Sequence, residues 1–232
     1  MFVKICGVTT AEDALLAAGL GADAVGMIFA ASPRRISSAE ARDIVHRLPP
    51  DVLPVGVFRN ESPERVAETA NSIGLRAVQL HGHESPEETR WLAERVPVVI
   101  KAFAATDPAL IDAEQYGAHR LLIDSATPGR GQVFDWAVLE GAPLNRPFIL
   151  AGGLHPGNVA DAVRAVRPWG IDVATGVEAA PGRKDPAKLR QFIAAARAAA
   201  PSEDRFDDDA FPLDFDDEQD QPFNWEKDTT WR

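Results

Sequence analysis

Short apolar runs rich in β-branched residues recur along the first 200 residues, at 2–5, 24–29, 52–58, 77–80, 96–101, 120–123, 147–150 and 171–173. Each is too short for a helix and reads as a buried strand. Their apolarity is continuous rather than alternating, which predicts a parallel sheet covered on both faces. Helix signals lie between the runs. Thr9 with Glu12 and Ser37 with Glu40 have capping-box spacing, in which the hydroxyl accepts from a free amide of the first turn. Ser85-Pro86-Glu87-Glu88 adds proline at the first helical position, and Ser62-Pro63, Asp107-Pro108 and Asp185-Pro186 repeat the pattern. Val159, Ala162, Val163 and Val166 share one helical face, as do Leu189, Phe192, Ile193 and Ala196. Eight such strand–helix units predict a closed (β/α)8 TIM barrel. An open doubly wound sheet is the alternative, but no Gly-x-Gly-x-x-Gly follows the first strand.

Charge divides the chain. The net charge of −11 over 232 residues argues against binding nucleic acid non-specifically. Residues 201–232 hold twelve acids against three bases, so residues 1–200 are nearly neutral at −2. The expected organisation is a catalytic barrel over 1–200 and an acidic tail over 201–232. The tail is expected to be disordered, although it carries six of the chain's seventeen aromatic residues. One cysteine excludes a disulfide framework and a cysteine-based zinc site. No apolar run approaches the roughly 20 residues of a membrane span, and the start lacks a signal-peptide pattern. A cytoplasmic, monomeric enzyme that needs no cofactor, acts on a small molecule and has neither nucleic acid nor membrane as partner is the expectation.

Catalytic groups in such a barrel stand where strands end at the C-terminal face. Cys6-Gly7 ends strand 1; Cys6 is either a small buried hydrophobe or a thiolate able to take a proton. Asp124 ends strand 6, and is either a loop cap or salt-bridge partner or a general acid whose pKa desolvation would raise. Strand 2 leads into Arg34 and Arg35, one of which could clamp a carboxylate. Strand 4 carries Gln79 and ends at His81, candidates for substrate contact, although His81 could equally hold a loop. Gly152-Gly153 after strand 7 and Gly176 after strand 8 would let backbone amides approach an anion. These late loops are the usual phosphate site of the fold.

These stretches together resemble the phosphoribosylanthranilate isomerase family of tryptophan biosynthesis. The resemblance is carried by Val3-Lys4-Ile5-Cys6-Gly7, Ser32-Pro33-Arg34, Val55-Gly56-Val57-Phe58, Val78-Gln79-Leu80-His81-Gly82, Leu122-Ile123-Asp124-Ser125, Ala151-Gly152-Gly153-Leu154 and Gly176-Val177-Glu178. It implies an Amadori rearrangement with Cys6 as general base and Asp124 as general acid. It further implies that Arg34, rather than Arg35, meets the anthranilate carboxylate, and that the loops of Gly153 and Gly176 hold the phosphate. Two departures stand out: Pro128-Gly129-Arg130-Gly131 replaces a Gly-Gly-Ser/Thr-Gly run, and Thr175 replaces a usual Ser. Other phosphosugar barrels would share the phosphate loops but not the set Cys6, Arg34 and Asp124. A bifunctional relative acting on histidine intermediates would be expected to carry aspartate in place of Cys6. A scaffold barrel that has lost catalysis would have no need of the set at all.

Overall fold

The computed structural model describes residues 1–124 and 147–201. Within them eight parallel strands close a barrel in chain order: β1 (Phe2–Cys6), β2 (Ala24–Ile28), β3 (Leu53–Phe58), β4 (Ala77–Leu80), β5 (Val98–Ala104), β6 (Arg120–Asp124), β7 (Phe148–Leu150) and β8 (Gly170–Val173), with β8 returning to pair with β1. Their residues are buried almost throughout, as the unbroken apolar runs require. The run at 96–101 becomes a strand only from Val98, because Pro97 has no amide to give to the ladder, and continues to Ala104.

Strand alternation separates two cores. Val3, Ile5, Val25, Met27, Ile171 and Val173 point outward against the helices. Phe2, Ala24, Leu53, Val55, Val98, Ile100 and Leu122 point inward and fill the barrel. Every second residue of β1 therefore faces the interior, which places Lys4 and Cys6 above Phe2 on the same face.

The helices are α1 (Ala11–Gly19), α2 (Ser38–Arg47), α3 (Pro63–Ile73), α4 (Pro86–Ala93), α5 (Val159–Val166) and α6 (Pro186–Ala199). Ser37 with Glu40 and Ser85 with Glu88 form full capping boxes, and Ser62 and Asp185 cap α3 and α6 ahead of proline. Such a cap is worth about 1 kcal/mol. α1 corrects the expectation: Thr10, not Thr9, caps it by accepting from the Asp13 amide, while Thr9 donates to the Gly182 carbonyl at 2.6 Å. The segment after β5 also differs. Pro108–Tyr116 is a 3-10 helix, kinked at Asp112, rather than an α-helix. Its inward residues Leu110, Ala113 and Tyr116 recur every third position, the 3-10 period, so a three-residue turn seats them best.

An unexpected antiparallel hairpin, β9 (Glu178–Ala180) with β10 (Arg183–Lys184), follows β8. The run Pro128-Gly129-Arg130-Gly131 and all of the acidic tail beyond Pro201 lie outside the described residues.

Candidate active site

The strand ends converge on one pocket of about 230 Å³ at the C-terminal face of the barrel. Its wall includes Cys6 from β1, Arg34 from the loop after β2, Gln79 and His81 from β4 and its end, Asp124 from β6, and Gly152 and Gly153 after β7. Gly176 is not on this wall. A Cβ there would lie 1.9 Å from the Leu154 carbonyl oxygen, so its place is the seam where the loop after β8 presses on the loop after β7. Thr175 and Ala174, its neighbours, do line the pocket. Gly152 and Gly153 have φ of 90° and 63°, in the left-handed region that favours glycine. Asn158 donates to the Gly153 carbonyl at 3.0 Å and fixes that loop.

Asp124 is braced from β4. His81 Nε2 lies 3.3 Å from Asp124 Oδ2, and the Gln79 amide nitrogen lies 2.8 Å from His81 Nδ1. With the amide placed this way Nδ1 accepts, and Nε2 faces the Asp124 carboxyl group. Gln79 Oε1 is then buried with no hydrogen-bond partner among the described residues. A buried acceptor in that state favours a ligand hydroxyl.

The loop after β4 is itself tied down. Lys101 donates to Glu84 Oε2 at 2.9 Å and to the Gly82 carbonyl at 2.8 Å, and Glu84 accepts from the amides of Asn60 and Gly82. One buried ion pair thus links the loops after β3 and β4 and holds the segment that presents His81.

Arg34 lies over Gly7, whose φ of 69° falls in the left-handed region that favours glycine. Its Nε and Nη2 each donate to Glu178 at 2.7 Å. Lys184 supports Glu178 at 3.2 Å and also donates to the Cys6 carbonyl at 2.6 Å. Burial opposes ionisation of Glu178, but Arg34 and Lys184 outweigh it and hold the carboxyl below its usual range. Glu178 takes two of the five guanidinium N–H groups, so three remain for another anion.

Cys6 is buried among charges. Burial pushes its thiol up; Lys4 and Lys184 draw it down, and Asp172 pushes it up further. The net shift is upward.

Comparison with known proteins decides the family. The family model described as N-(5'phosphoribosyl)anthranilate (PRA) isomerase matches residues 3–195. The chain belongs to the phosphoribosylanthranilate isomerase family. A relative of that name from Desulforudis audaxviator is 51% identical over 204 residues, covering 85% of this chain and 98% of its own. The phosphoribosyl anthranilate isomerase structure from Thermus thermophilus is 42% identical with a TM-score of 0.80, covering 85% of this chain and 99% of its own. Another isomerase of the family, solved in complex with reduced 1-(o-carboxyphenylamino)-1-deoxyribulose 5-phosphate, is 42% identical with a TM-score of 0.77 at the same coverage. The Thermotoga maritima phosphoribosylanthranilate isomerase is described as dimeric in a structure of monomers derived from it.

Several site residues escaped the sequence reading: Lys4, Asp172, Glu178 and Lys184, with Glu84 and Lys101 beside them. One signal was present for Lys4 and Asp172. Each is a charge at the centre of a strand whose neighbours are apolar, where an ion is expensive unless paired. Their partnership joins residues 168 apart, which no local period encodes.

Proposed function

We propose that this chain catalyses the Amadori rearrangement of N-(5-phosphoribosyl)anthranilate to 1-(2-carboxyphenylamino)-1-deoxyribulose 5-phosphate. Beside family membership, one observation carries the reading: Cys6 and Asp124, from two strand ends, and Arg34, from the loop after a third strand, line a single pocket. The furanose ring opens first. Asp124, braced by His81, gives a proton to the ring oxygen as the C1′–O bond breaks, leaving a Schiff base. The positive nitrogen acidifies the C2′ proton, which Cys6 removes as thiolate to give an enolamine. Tautomerisation then yields the ketone. No metal or organic cofactor has a role in these steps.

Arg34 offers the N–H groups not taken by Glu178 to the anthranilate carboxylate. Gln79 Oε1 accepts from a sugar hydroxyl. The backbone around Gly152, Gly153 and Gly176 holds the phosphate. We read the enzyme as a monomer, and as cytoplasmic in keeping with a role in amino-acid biosynthesis. No helix among the described residues is long and apolar enough to cross a membrane. The test is incubation with phosphoribosylanthranilate made in situ. A ketone carbonyl appearing in the product by carbon NMR supports the reading, and unchanged aminoaldose after extended incubation with folded protein overturns it.

A further inference from the structure

Lys4 is wholly buried, and the mechanism above leaves it without a task. It projects from the middle of β1 into the barrel, on the same face as Cys6. Its Nζ lies 2.9 Å from Asp172 Oδ1, and β8 pairs with β1 so that Lys4 and Asp172 stand side by side. On the other side β2 pairs with β1, with Ala24 beside Lys4 and Gly26 beside Cys6. A Cβ at Gly26 would fall 2.8 Å from Cys6 Sγ and 3.1 Å from Lys4 Nζ. The sulfur and the ammonium therefore both close on the one spot that the glycine leaves without a side chain.

We propose that Lys4 is a positioning residue for catalysis: held by Asp172, its ammonium is the counter-ion that lets Cys6 carry negative charge inside the barrel. The proposal rests on the assignment of Cys6 as base. A purely structural pair tying β1 to β8 would not need to sit under the sulfur, and apolar residues would fill the same space at least as stably. The charged groups facing Cys6 are Lys4 on its own strand, Asp172 on β8, Lys184 on β10 and Arg34 after β2. Lys184 is shared with Glu178 and with two backbone carbonyls, and Arg34 is bound to Glu178 on two sides. Lys4 is the cation whose other partner is a single carboxylate on the barrel interior. Burial draws the Lys4 ammonium down, but Asp172 and Cys6 outweigh it and raise it.

The step balances as a proton transfer. The thiol first loses its proton to solvent. The thiolate lone pair then forms the S–H bond as the C2′–H bond breaks. That electron pair becomes the C1′–C2′ double bond, and the C1′–N π pair moves onto nitrogen and neutralises it. Lys4 remains an ammonium throughout, and Asp172 remains its carboxylate.

Cys6 is the chain's only thiol, so alkylation by iodoacetamide reports on it alone, and it lines the open pocket. The alkylation rate is measured against pH for the wild type, Lys4→Met, and Lys4→Met/Asp172→Asn. The double variant leaves no lone buried carboxylate and keeps the test alive if the single variant fails to fold. The midpoint of reactivity is expected to rise by about one pH unit in Lys4→Met and in the same direction in the double variant. At neutral pH, kcat falls by about tenfold while KM stays within about twofold. A folded variant whose midpoint lies within about 0.3 unit of the wild type overturns the pairing. Separately, a Cys6→Ser enzyme that keeps its turnover overturns the base assignment while leaving the alkylation shift to be read on its own.

Discussion

Lys101→Met removes one partner of a buried ion pair and leaves the shape of the side chain nearly unchanged. Lys101 Nζ and Glu84 Oε2 are 2.9 Å apart, with side chains 2% and 3% exposed. Breaking such a pair from one side costs about 3 to 5 kcal/mol, because the surviving charge has lost its counter-ion. Glu84 keeps the amides of Asn60 at 2.8 Å and Gly82 at 3.0 Å, which places the loss near the lower figure. For a domain of this size about 1 kcal/mol moves Tm by about 2 to 4 °C, so a fall of about 6 to 12 °C is expected at pH 7. Thermal unfolding followed by circular dichroism reads it. The dependence on pH has a definite sign. Burial alone would raise the Glu84 carboxyl, but Lys101 and the Asn60 amide outweigh it and hold it below its usual range. The wild type therefore has this stability in full above the unfolded value of about 4.3 and loses it as pH falls through the lower folded value. In Lys101→Met burial is no longer opposed by a cation, so acid relieves the buried carboxylate. The gap between the two proteins is expected to narrow below about pH 4. Lys101→Met/Glu84→Gln, with no lone charge, regains much of the loss. A Tm within about 2 °C of wild type at pH 7, or a gap that widens in acid, refutes the account of these loops.

Two further outcomes test the assignments. Arg34→Ala raises KM by about tenfold or more, the equivalent of one charge-assisted pair of about 1.5 to 3 kcal/mol, whereas exposed Arg35→Ala leaves it within about twofold; steady-state kinetics with equal KM values would reject Arg34 as the clamp. Truncation after Ala200 leaves kcat and KM within about twofold, because every proposed site residue precedes it; a truncated protein that is folded yet inactive would give the acidic tail a part in the site.

The barrel was legible in the sequence because a parallel strand covered on both faces leaves an unbroken apolar run, and eight such runs leave little choice of architecture. The candidate positions were legible for a related reason: Cys6, Asp124 and the pair Arg34 and Arg35 stand at strand ends or in the loops after them, where the fold concentrates its chemistry. The roles of base and acid, and the choice of Arg34 over Arg35, came only with the resemblance to the isomerase family. What was not legible depends on distance along the chain. Thr9 and Thr10 are equally able to cap a helix, and only the hairpin of Gly182, 173 residues away, draws the Thr9 hydroxyl elsewhere. The segment after β5 has a proline-headed start like the α-helices, but its apolar residues follow a three-residue period. The ion pairs Lys4–Asp172 and Arg34–Glu178 bring together strands and loops 168 and 144 residues apart. Gly176 could be read as a phosphate glycine from its position, while its contact with Leu154 is a property of two loops packed together.

The central claim is that Cys6 and Asp124 are the base and acid of one isomerisation. Turnover of phosphoribosylanthranilate by wild type, Cys6→Ser and Asp124→Asn, each shown to be folded, tests it most directly. The account predicts conversion by the wild type and a fall of about 100-fold or more in kcat for each variant, the usual contribution of a general acid or base. A folded variant of either residue that keeps more than about half of the wild-type kcat contradicts it.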